Sequence, residues 1–565
     1  MTDLAQDIVG APKAPTALRP HQRVGWLAWT ALVLSLVLLS PLAAVVAAAF
    51  GEGHGTWAHL ATTVLPTYVE NTILLVVAVT IGVFVTGTGT AWLVTMCRFP
   101  GKRLLEWGLV LPFAAPAYVI AYAYTDFLQH PGPVQTWLRA VTGWGPNDYW
   151  FPEIRSLEGA AAMFILVLYP YVYLLARSAF LQQSSCTLEV ARTLGRGSWT
   201  CFFKVALPMA RPAIAVGVSL ALMETLADFG TVAHFGVQTF TTGIYRAWFS
   251  MGDRVAAAQL ALSLVGVVLI ILLAERWQRG GRAFDTGRRF DALPEYRLKG
   301  ARAWLATAAC ALPILLGFVL PLIILGRLSW LNAHALFGER YIRLIMNSFT
   351  LAGAGALATI AIGVVLAYAA RSRPGVTTTA ANRLVSLGYA LPGSIIAVGL
   401  LIPLTTFDNA LDGWMRSTFG ISTGLLLTGT IAALVFAYMV RFMAVALNTL
   451  EASLGKITPS IDAAARTLGA GPGRTLVRVH LPLISGGVLT AALIVFVDIL
   501  KELPATLIMR PFNFDTLAIQ AYRLASDERL AEASTPSMVI MAVGLIPVIL
   551  LSRQITKSRP GAGGS

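Results

Sequence analysis

The sequence predicts an all-α integral membrane protein with about twelve transmembrane helices arranged in two six-helix repeats. Of its 565 residues, 56% are hydrophobic and only 12% are charged, and the mean hydropathy is +0.70. Apolar runs long enough to cross a bilayer recur along the whole chain, and one pattern of 20 residues occurs twice. Because soluble domains carry about a quarter charged residues, this composition excludes a soluble enzyme. It also excludes a disordered or collagen-like chain.

Twelve apolar segments have the length that a bilayer-crossing helix needs, about 20 residues. The first run has 24 residues, which exceeds the roughly 7–15 of a cleaved signal peptide, so we expect it to be retained as an anchor. Prolines inside several runs are tolerated because neighbouring helices can satisfy the freed backbone groups. The predicted spans are 27–50, 72–96, 107–124, 159–176, 208–230, 255–274, 303–326, 348–370, 384–407, 421–440, 482–503 and 533–551.

Lysine and arginine are distributed unequally between the two sides of these spans. Most of the 42 basic residues lie in the terminal segments, the central linker and the connections that share their side. The positive-inside rule places that side in the cytoplasm, with both termini inside. The formal net charge of +14 is therefore a topology signal, and no nucleic-acid partner is expected.

Comparison of the chain with itself shows an internal duplication. Residues 189–208 read EVARTLGRGSWTCFFKVALP, and residues 463–482, displaced by 274 positions without a gap, read AAARTLGAGPGRTLVRVHLP. The duplication predicts a first repeat over 1–274, a cytoplasmic linker over 275–302 and a second repeat over 303–565. Parallel repeats of this kind are related by a pseudo-twofold axis normal to the membrane, with the substrate path between them.

Both copies of the duplicated stretch lie between the fourth and fifth spans of their repeats, on the cytoplasmic side. Each contains an Ala-rich run with an acidic residue, then a glycine, then a Leu-Pro pair. This pattern predicts a short helix, its end, and the start of the next span. Because the loop occurs twice, we expect two equivalent sites that meet a two-fold symmetric partner.

These loops resemble the EAA loops of permease subunits of binding-protein-dependent ABC importers. In that family, the loop forms a coupling helix seated in a groove of the ATPase subunit. The matching residues are Glu189, Ala191 and Gly195 in the first loop, and Ala463, Ala464 and Gly469 in the second. The second loop departs from the pattern, because Ala463 occupies the acidic position and Asp462 stands immediately before it.

The resemblance implies a type I importer permease in a bacterial cytoplasmic membrane. Its partners would be two ABC ATPase subunits, which hold ATP and magnesium, and an external or periplasmic solute-binding protein. This chain itself would bind no cofactor. More narrowly, the fused halves resemble the permeases of ferric-iron importers, through the stretches that begin at Met223 and Asp498. Fused thiamine and aminophosphonate permeases look similar, so thiamine is the alternative substrate.

Charged residues lie inside the fifth and eleventh predicted spans. The fifth contains Glu224 and Asp228, and the eleventh contains Asp498, Lys501 and Glu502. The displacement of 274 positions pairs Glu224 with Asp498 and Asp228 with Glu502, and both carboxylates of one span share a helix face. Since an ionisable residue in the membrane is a functional candidate, we expect these five residues to line the substrate pathway.

The four carboxylates are also candidates for transient contact with a hard cation such as ferric iron, which favours oxygen ligands. The alternative is a structural network, in which Lys501 pairs with Asp498 or Glu502 and the other acids are protonated or cap unwound backbone. Tyr118, Tyr122 and Tyr124 fit an aromatic belt at the outer boundary better than iron ligation. The external stretches 128–158 and 504–532 are either docking surfaces for the solute-binding protein or loops that cover the pathway.

The chain has no nucleotide-binding P-loop of its own. Gly101-Lys102 is followed by Arg103 and Gly455-Lys456 by Ile457, where that motif requires serine or threonine. We therefore expect the chain not to be an enzyme and its energy to come from separate ATPase subunits. A secondary transporter driven by an ion gradient is the alternative from another class, and it would need no paired docking loops.

Overall fold

The computed structural model describes residues 26–51, 56–181, 198–279, 296–331, 338–372, 375–386, 388 and 391–557. In the first repeat the elements are α1 Trp26–Ala49, α2 Thr56–Thr63, α3 Leu65–Met96, β1 Cys97–Arg98, α4 Lys102–Gly108, α5 Ala117–Leu128, α6 Pro133–Thr142, α7 Leu157–Leu181, α8 Trp199–Ala227, α9 Gly230–His234, α10 Phe240–Tyr245 and α11 Arg254–Arg279. The elements that follow are β2 Tyr296–Arg297, α12 Ala301–Leu331, α13 Glu339–Ser372, α14 Val376–Ser386, α15 Gly393–Phe419, α16 Ile431–Leu454, α17 Pro459–Thr467, α18 Pro472–Leu483, α19 Ser485–Leu500, α20 Pro504–Met509, α21 Leu517–Ser526 and α22 Leu530–Lys557.

The prediction of an all-α protein with about twelve spans is confirmed. Within the described residues, ten helices are long and apolar enough to cross a membrane, and two bent helix pairs bring the number to twelve. The third span bends by 93° and the eleventh by 79°. In the third, Pro116 has an extended backbone (φ −63°, ψ 146°) and no N–H to donate, so the helix is interrupted before α5.

The ninth and tenth spans differ from the sequence prediction. Helix α15 continues to Phe419 rather than ending near residue 407, and α16 begins at Ile431 rather than at 421. Gly420, Gly424 and Gly429 all have positive φ, which keeps 420–430 out of either helix although leucines and isoleucine make it apolar. Hydropathy therefore could not separate this loop from the span that follows it.

The two repeats exchange their first helices. Helix α1 packs against α14 and α15 of the second repeat, and α12 packs against α3, α4 and α5 of the first. The Tyr124 hydroxyl donates a hydrogen bond to the Leu316 carbonyl at 2.7 Å, which joins α5 to α12. The short parallel pair of β1 with β2 adds a further connection at the start of the second half. Both helices also contact their own repeat, α1 through α11 and α12 through α22, so they bridge the two repeats.

Corresponding contacts recur within the repeats. The Asn71 side chain donates to the Gln238 carbonyl at 2.9 Å in the first repeat, and Asn347 donates to the Asp515 carbonyl at 3.1 Å in the second. One segment differs, because Pro131 and Pro133 separate α5 from α6, whereas the second repeat has one continuous helix α15 there. The C-terminal ends of the third and ninth spans are thus shaped by local sequence, not by the shared architecture.

Candidate functional site

A cavity of about 100 Å³ lies between the ends of α8 and α19, one from each repeat. The structure brings all five predicted pathway residues to its wall: Glu224, Asp228, Asp498, Lys501 and Glu502. Because each repeat contributes an equivalent pair of carboxylates, the cavity is acidic on both sides of the boundary between the repeats.

Asp228 and Glu502 are placed where their helices stop. Helix α8 ends at Ala227 and α19 at Leu500, and a short helix starts again after each acid. Asp228 Oδ1 accepts the Thr231 N–H at 2.7 Å, and the Glu502 carboxylate accepts those of Ala505 and Thr506 at 2.9 and 3.0 Å. Such acceptors satisfy the free amides of a helix start and face its positive dipole end. The capping of unwound backbone, one part of the structural alternative, is therefore present.

The other two acids have cationic neighbours. Lys501 Nζ lies 2.9 Å from Asp498 Oδ1, one helical turn earlier, and 5.0 Å from the centre of the Phe113 ring. Glu224 Oε2 lies 3.9 Å from Arg441 Nη2. Positive charge therefore stands beside acids of both repeats within the same cavity.

Arg441 is a cavity residue that the sequence analysis missed. It lies in the interior of α16, and its side chain is 10% exposed, with Nη1 at 3.3 Å from Glu502 Oε1. The predicted tenth span ended at residue 440, so Arg441 was assigned to a cytoplasmic loop. The constant displacement of 274 positions aligns α16 with α7 and places Arg441 opposite Val167, which lies inside the fourth predicted span. The duplication could therefore have identified Arg441 as a residue within a span.

Gly393 makes the approach of Arg441 to Glu502 possible. A Cβ atom at this position would lie 2.5 Å from both Arg441 Nη1 and Glu502 Oε1. Glu502 cannot move away cheaply, since its carboxylate is also bonded to the start of α20. Glycine as the first residue of α15 therefore leaves the space that this ion pair occupies.

The acids of the cavity are duplicated, but the cations are not. Asp498 and Glu502 have carboxylate counterparts in the first repeat, whereas Arg441 and Lys501 correspond to Val167 and Ala227. Among the described residues, no group of three or more His, Cys, Asp or Glu side chains could hold a metal ion. In this structure the four carboxylates therefore do not converge on one metal position.

The prediction of a lipid-facing aromatic belt is wrong for Tyr118, Tyr122 and Tyr124, all of which are buried. Tyr118 lines the cavity, and its hydroxyl donates a hydrogen bond to the Lys501 carbonyl at 3.2 Å. The reason is the bend of the third span, which turns α5 inward against α9 and α12. A hydropathy pattern contains no information about that bend.

The structure describes the second of the two duplicated loops but not the first. Glu189, Ala191 and Gly195 lie outside the described residues. In the second loop, Ala463 and Ala464 are exposed on α17, and Gly469 ends the helix with φ +75°. Asp462 Oδ2 lies 2.7 Å from Arg371 Nη2, and Asp462 Oδ1 lies 2.8 Å from His480 Nε2.

The two stretches that the sequence predicts to be external contact each other. Arg155 in 128–158 donates two hydrogen bonds of 2.7 Å to the carboxylate of Glu528 in 504–532. The side chains are 33% and 57% exposed, so the pair lies at the surface. The Arg155 hydrogen bond holds the pKa of the Glu528 carboxyl below its usual range.

Comparison with known proteins agrees with this architecture. The model of the family described as binding-protein-dependent transport system inner membrane component matches twice, over residues 78–279 and 359–557. The Fe(3+)-transport system permease protein FbpB 2 of Haemophilus influenzae is 28% identical over 497 residues, which are 86% of this chain and 90% of that protein.

Two further relatives differ in size and in what their names say they transport. The ferric transport system permease protein FbpB of Actinobacillus pleuropneumoniae is 22% identical over 468 residues, 77% of this chain and 64% of that protein. The molybdenum transport system permease protein ModB of Escherichia coli is 29% identical over 204 residues, 34% of this chain and 86% of that protein. With the family model matching most of its length, the chain belongs to the binding-protein-dependent transport system inner membrane components, and it is a multi-pass inner-membrane permease of an ABC importer.

Proposed function

We propose that this permease imports ferric iron and that the cargo passes through the cavity between the repeats. The observation that carries the proposal is the duplicated set of carboxylates, Glu224 with Asp228 and Asp498 with Glu502, on the wall of that cavity. Four formal negative charges face two positive ones, so the cavity attracts a cation and disfavours an anion. Carboxylate oxygen is also the ligand type that hard cations prefer.

Transient contact with the cation needs a rearrangement of the cavity. Lys501 and Arg441 stand beside Asp498, Glu224 and Glu502, at the distances given above. The 3.9 Å contact between Glu224 and Arg441 is the weakest of these ion pairs, and it joins the two repeats. We expect it to break when the repeats move relative to each other. Its loss would expose Glu224 to the cargo.

The rest of the transport complex follows from the same proposal. The chain would divide into repeats 1–274 and 303–565 around a linker at 275–302, with both termini in the cytoplasm. Two ATPase subunits, carrying ATP and magnesium, would dock at the loops that contain Glu189 and Asp462. A solute-binding protein would deliver the cargo on the external face, and the permease itself would catalyse no reaction. The support for this arrangement is the family membership and the duplicated loops.

The test is uptake of labelled ferric iron by proteoliposomes that contain the permease, its ATPase and its binding protein. Glu224→Gln and Asp498→Asn should each lower uptake about tenfold, the loss expected when about 1.4 kcal/mol of cation attraction is removed. The amount of ATPase that co-purifies should not change. Glu339→Gln is the matched control, because the Glu339 side chain is 92% exposed and lies outside the cavity.

Wild-type iron uptake in both variants would contradict the pathway. Uptake of thiamine, sulfate or molybdate in place of iron, under the same conditions, would show that iron is not the cargo. The proposed pathway could then still be tested with the same two variants. Uptake that needs no ATP and collapses with an ion gradient would instead support a secondary transporter.

A further inference from the structure

The second cytoplasmic docking helix, α17, is held to the membrane domain by its own acidic residue. Asp462 Oδ2 accepts a hydrogen bond from Arg371 Nη2 at 2.7 Å, and Asp462 Oδ1 lies 2.8 Å from His480 Nε2. Arg371 belongs to α13 and His480 to α18, so both oxygens of the carboxylate are directed at transmembrane helices. Both oxygens are thus engaged on the side of the membrane domain, with the Asp462 side chain 27% exposed.

Arg371 joins further backbone to the same point. Its guanidinium also donates hydrogen bonds to the carbonyls of Leu454 and Ile457, at 2.6 and 2.9 Å, where α16 ends. One turn earlier on α13, the Tyr368 hydroxyl donates to the Pro472 carbonyl at 2.8 Å, at the start of α18. The end of α16, the docking helix and the start of α18 are thus all bonded to the last turns of α13.

His480 completes the junction from inside the fold. Its side chain is fully buried, and its ring lies 5.4 Å from that of Tyr368 in an edge-to-face arrangement. The imidazole cannot be reached by a cytoplasmic protein, yet it contacts the docking helix through Asp462. His480 therefore links that helix to the start of the bent eleventh span.

The opposite face of α17 is free for a partner. Ala463, Ala464, Thr467 and Leu468 are exposed, Leu468 by 86%, whereas Ala465 is buried on the side of Asp462. Residues four apart lie one above the other on a helix, so 463 with 467 and 464 with 468 form one continuous outer surface. The acid stands one residue before the position that the EAA pattern assigns to it. One residue is about 100° around a helix axis, which turns the carboxylate from the outer face to the membrane domain.

We propose that Asp462 is a positioning residue that couples the docking helix to α13 and α18, and that the ATPase is contacted by the outer surface of Ala463, Ala464, Thr467 and Leu468 instead. This inference rests on the proposed docking of an ATPase at this loop. The charge-assisted hydrogen bond from Arg371 and the 2.8 Å contact with His480 tie α17 to both helices. Without them the helix still presents its outer surface, but its movement is no longer delivered to the transmembrane helices.

The experiment uses the complete importer in proteoliposomes and measures three quantities: co-purified ATPase, ATP hydrolysis stimulated by loaded binding protein, and cargo taken up per ATP. Asp462→Asn should retain ATPase subunits and hydrolysis, while uptake per ATP falls about fivefold, the lower end of a typical coupling free energy. Asp462→Glu, which keeps the charge, should restore part of the loss. Leu468→Asp should instead reduce the amount of co-purified ATPase. Glu339→Gln, at a side chain that is 92% exposed and outside this junction, is the matched control.

Loss of the ATPase in Asp462→Asn, as in Leu468→Asp, would show that the carboxylate contacts the partner and would overturn the inference. Unchanged uptake per ATP would overturn it equally. If Asp462→Asn does not fold, Arg371→Lys tests the same junction, because lysine keeps the charge but cannot serve Asp462, Leu454 and Ile457 together. Failure of the wild-type permease to bind any ATPase is a separate result, and it would remove the proposed function itself.

Discussion

Asp228 and Glu502 hold equivalent positions in the two repeats, and each carboxylate accepts backbone N–H groups from the short helix that follows it. The same two side chains line the cavity between the repeats. The two acids therefore stabilise the start of a helix and also line the cavity between the repeats. Any variant of either residue has to be assessed for stability before its effect on transport is interpreted.

Removal of the Glu502 carboxylate should destabilise the permease strongly. The side chain is 2% exposed, accepts three hydrogen bonds from Ala505 and Thr506, and faces Arg441 at 3.3 Å. In Glu502→Ala the Arg441 charge stays buried without this partner, a change that costs roughly 3–5 kcal/mol. Glu502→Gln, which keeps one acceptor, should cost less, and thermal unfolding in detergent measures both. Equal unfolding temperatures for wild type and Glu502→Ala would show that the Glu502 carboxylate does not stabilise the fold.

Substitution of Gly393 should separate Arg441 from Glu502. The added methyl group of Gly393→Ala would stand 2.5 Å from an atom of each side chain, so we expect these side chains to shift apart. Overpacking of this kind typically costs about 1–3 kcal/mol, and we also expect lower cargo uptake. Gly413→Ala is the control on the same helix α15, since nothing lies within 4 Å of its added Cβ. The prediction fails if the two variants have the same unfolding temperature and uptake.

The two repeats should respond differently to truncation of one equivalent contact. In the first repeat, Arg177 forms an ion pair with Glu106, and their side chains are 6% and 14% exposed. In the second, Asn382 donates a 2.6 Å hydrogen bond to Glu451, which stands 274 positions after Arg177. Glu106→Ala leaves a buried guanidinium without this partner and should cost roughly 3–5 kcal/mol. Asn382→Ala should cost about 1–3 kcal/mol. We therefore expect Glu106→Ala to have the lower unfolding temperature, and the reverse order would contradict the prediction.

The surface pair of Arg155 and Glu528 should give a small, pH-dependent contribution to stability. Because the pKa of Glu528 is lowered in the folded state, the contribution is fully present above the ordinary glutamate pKa, about 4.3. It is lost as the pH falls through the lower, folded-state pKa. Exposed pairs contribute about 0.2–1 kcal/mol and less at high salt. Glu528→Gln should therefore lower the unfolding temperature slightly at pH 7.

The difference between wild type and Glu528→Gln should disappear toward pH 3 and in concentrated salt. Glu339→Gln serves as the control, because its carboxylate is 92% exposed and belongs to a pair within one helix. A difference that grows as the pH falls would contradict the assignment of the pair.

The sequence by itself determined the class of the protein, the number of spans, the duplication and the acids of the fifth and eleventh spans. These properties follow from composition, apolar run length and a fixed displacement of 274 positions, which are local or linear quantities. Run length fails where glycines with positive φ keep an apolar stretch out of a helix, as at 420–430, and that error hid Arg441.

Only the tertiary structure decided what the charged groups contact. Helix bends turned Tyr118 inward, Gly393 let Arg441 reach Glu502, and the phase of α17 directed Asp462 at Arg371 and His480. Each of these contacts joins residues far apart in the chain, and a shift of one residue along a helix changes direction by about 100°. Linear patterns do not contain that information, because it arises when the helices pack.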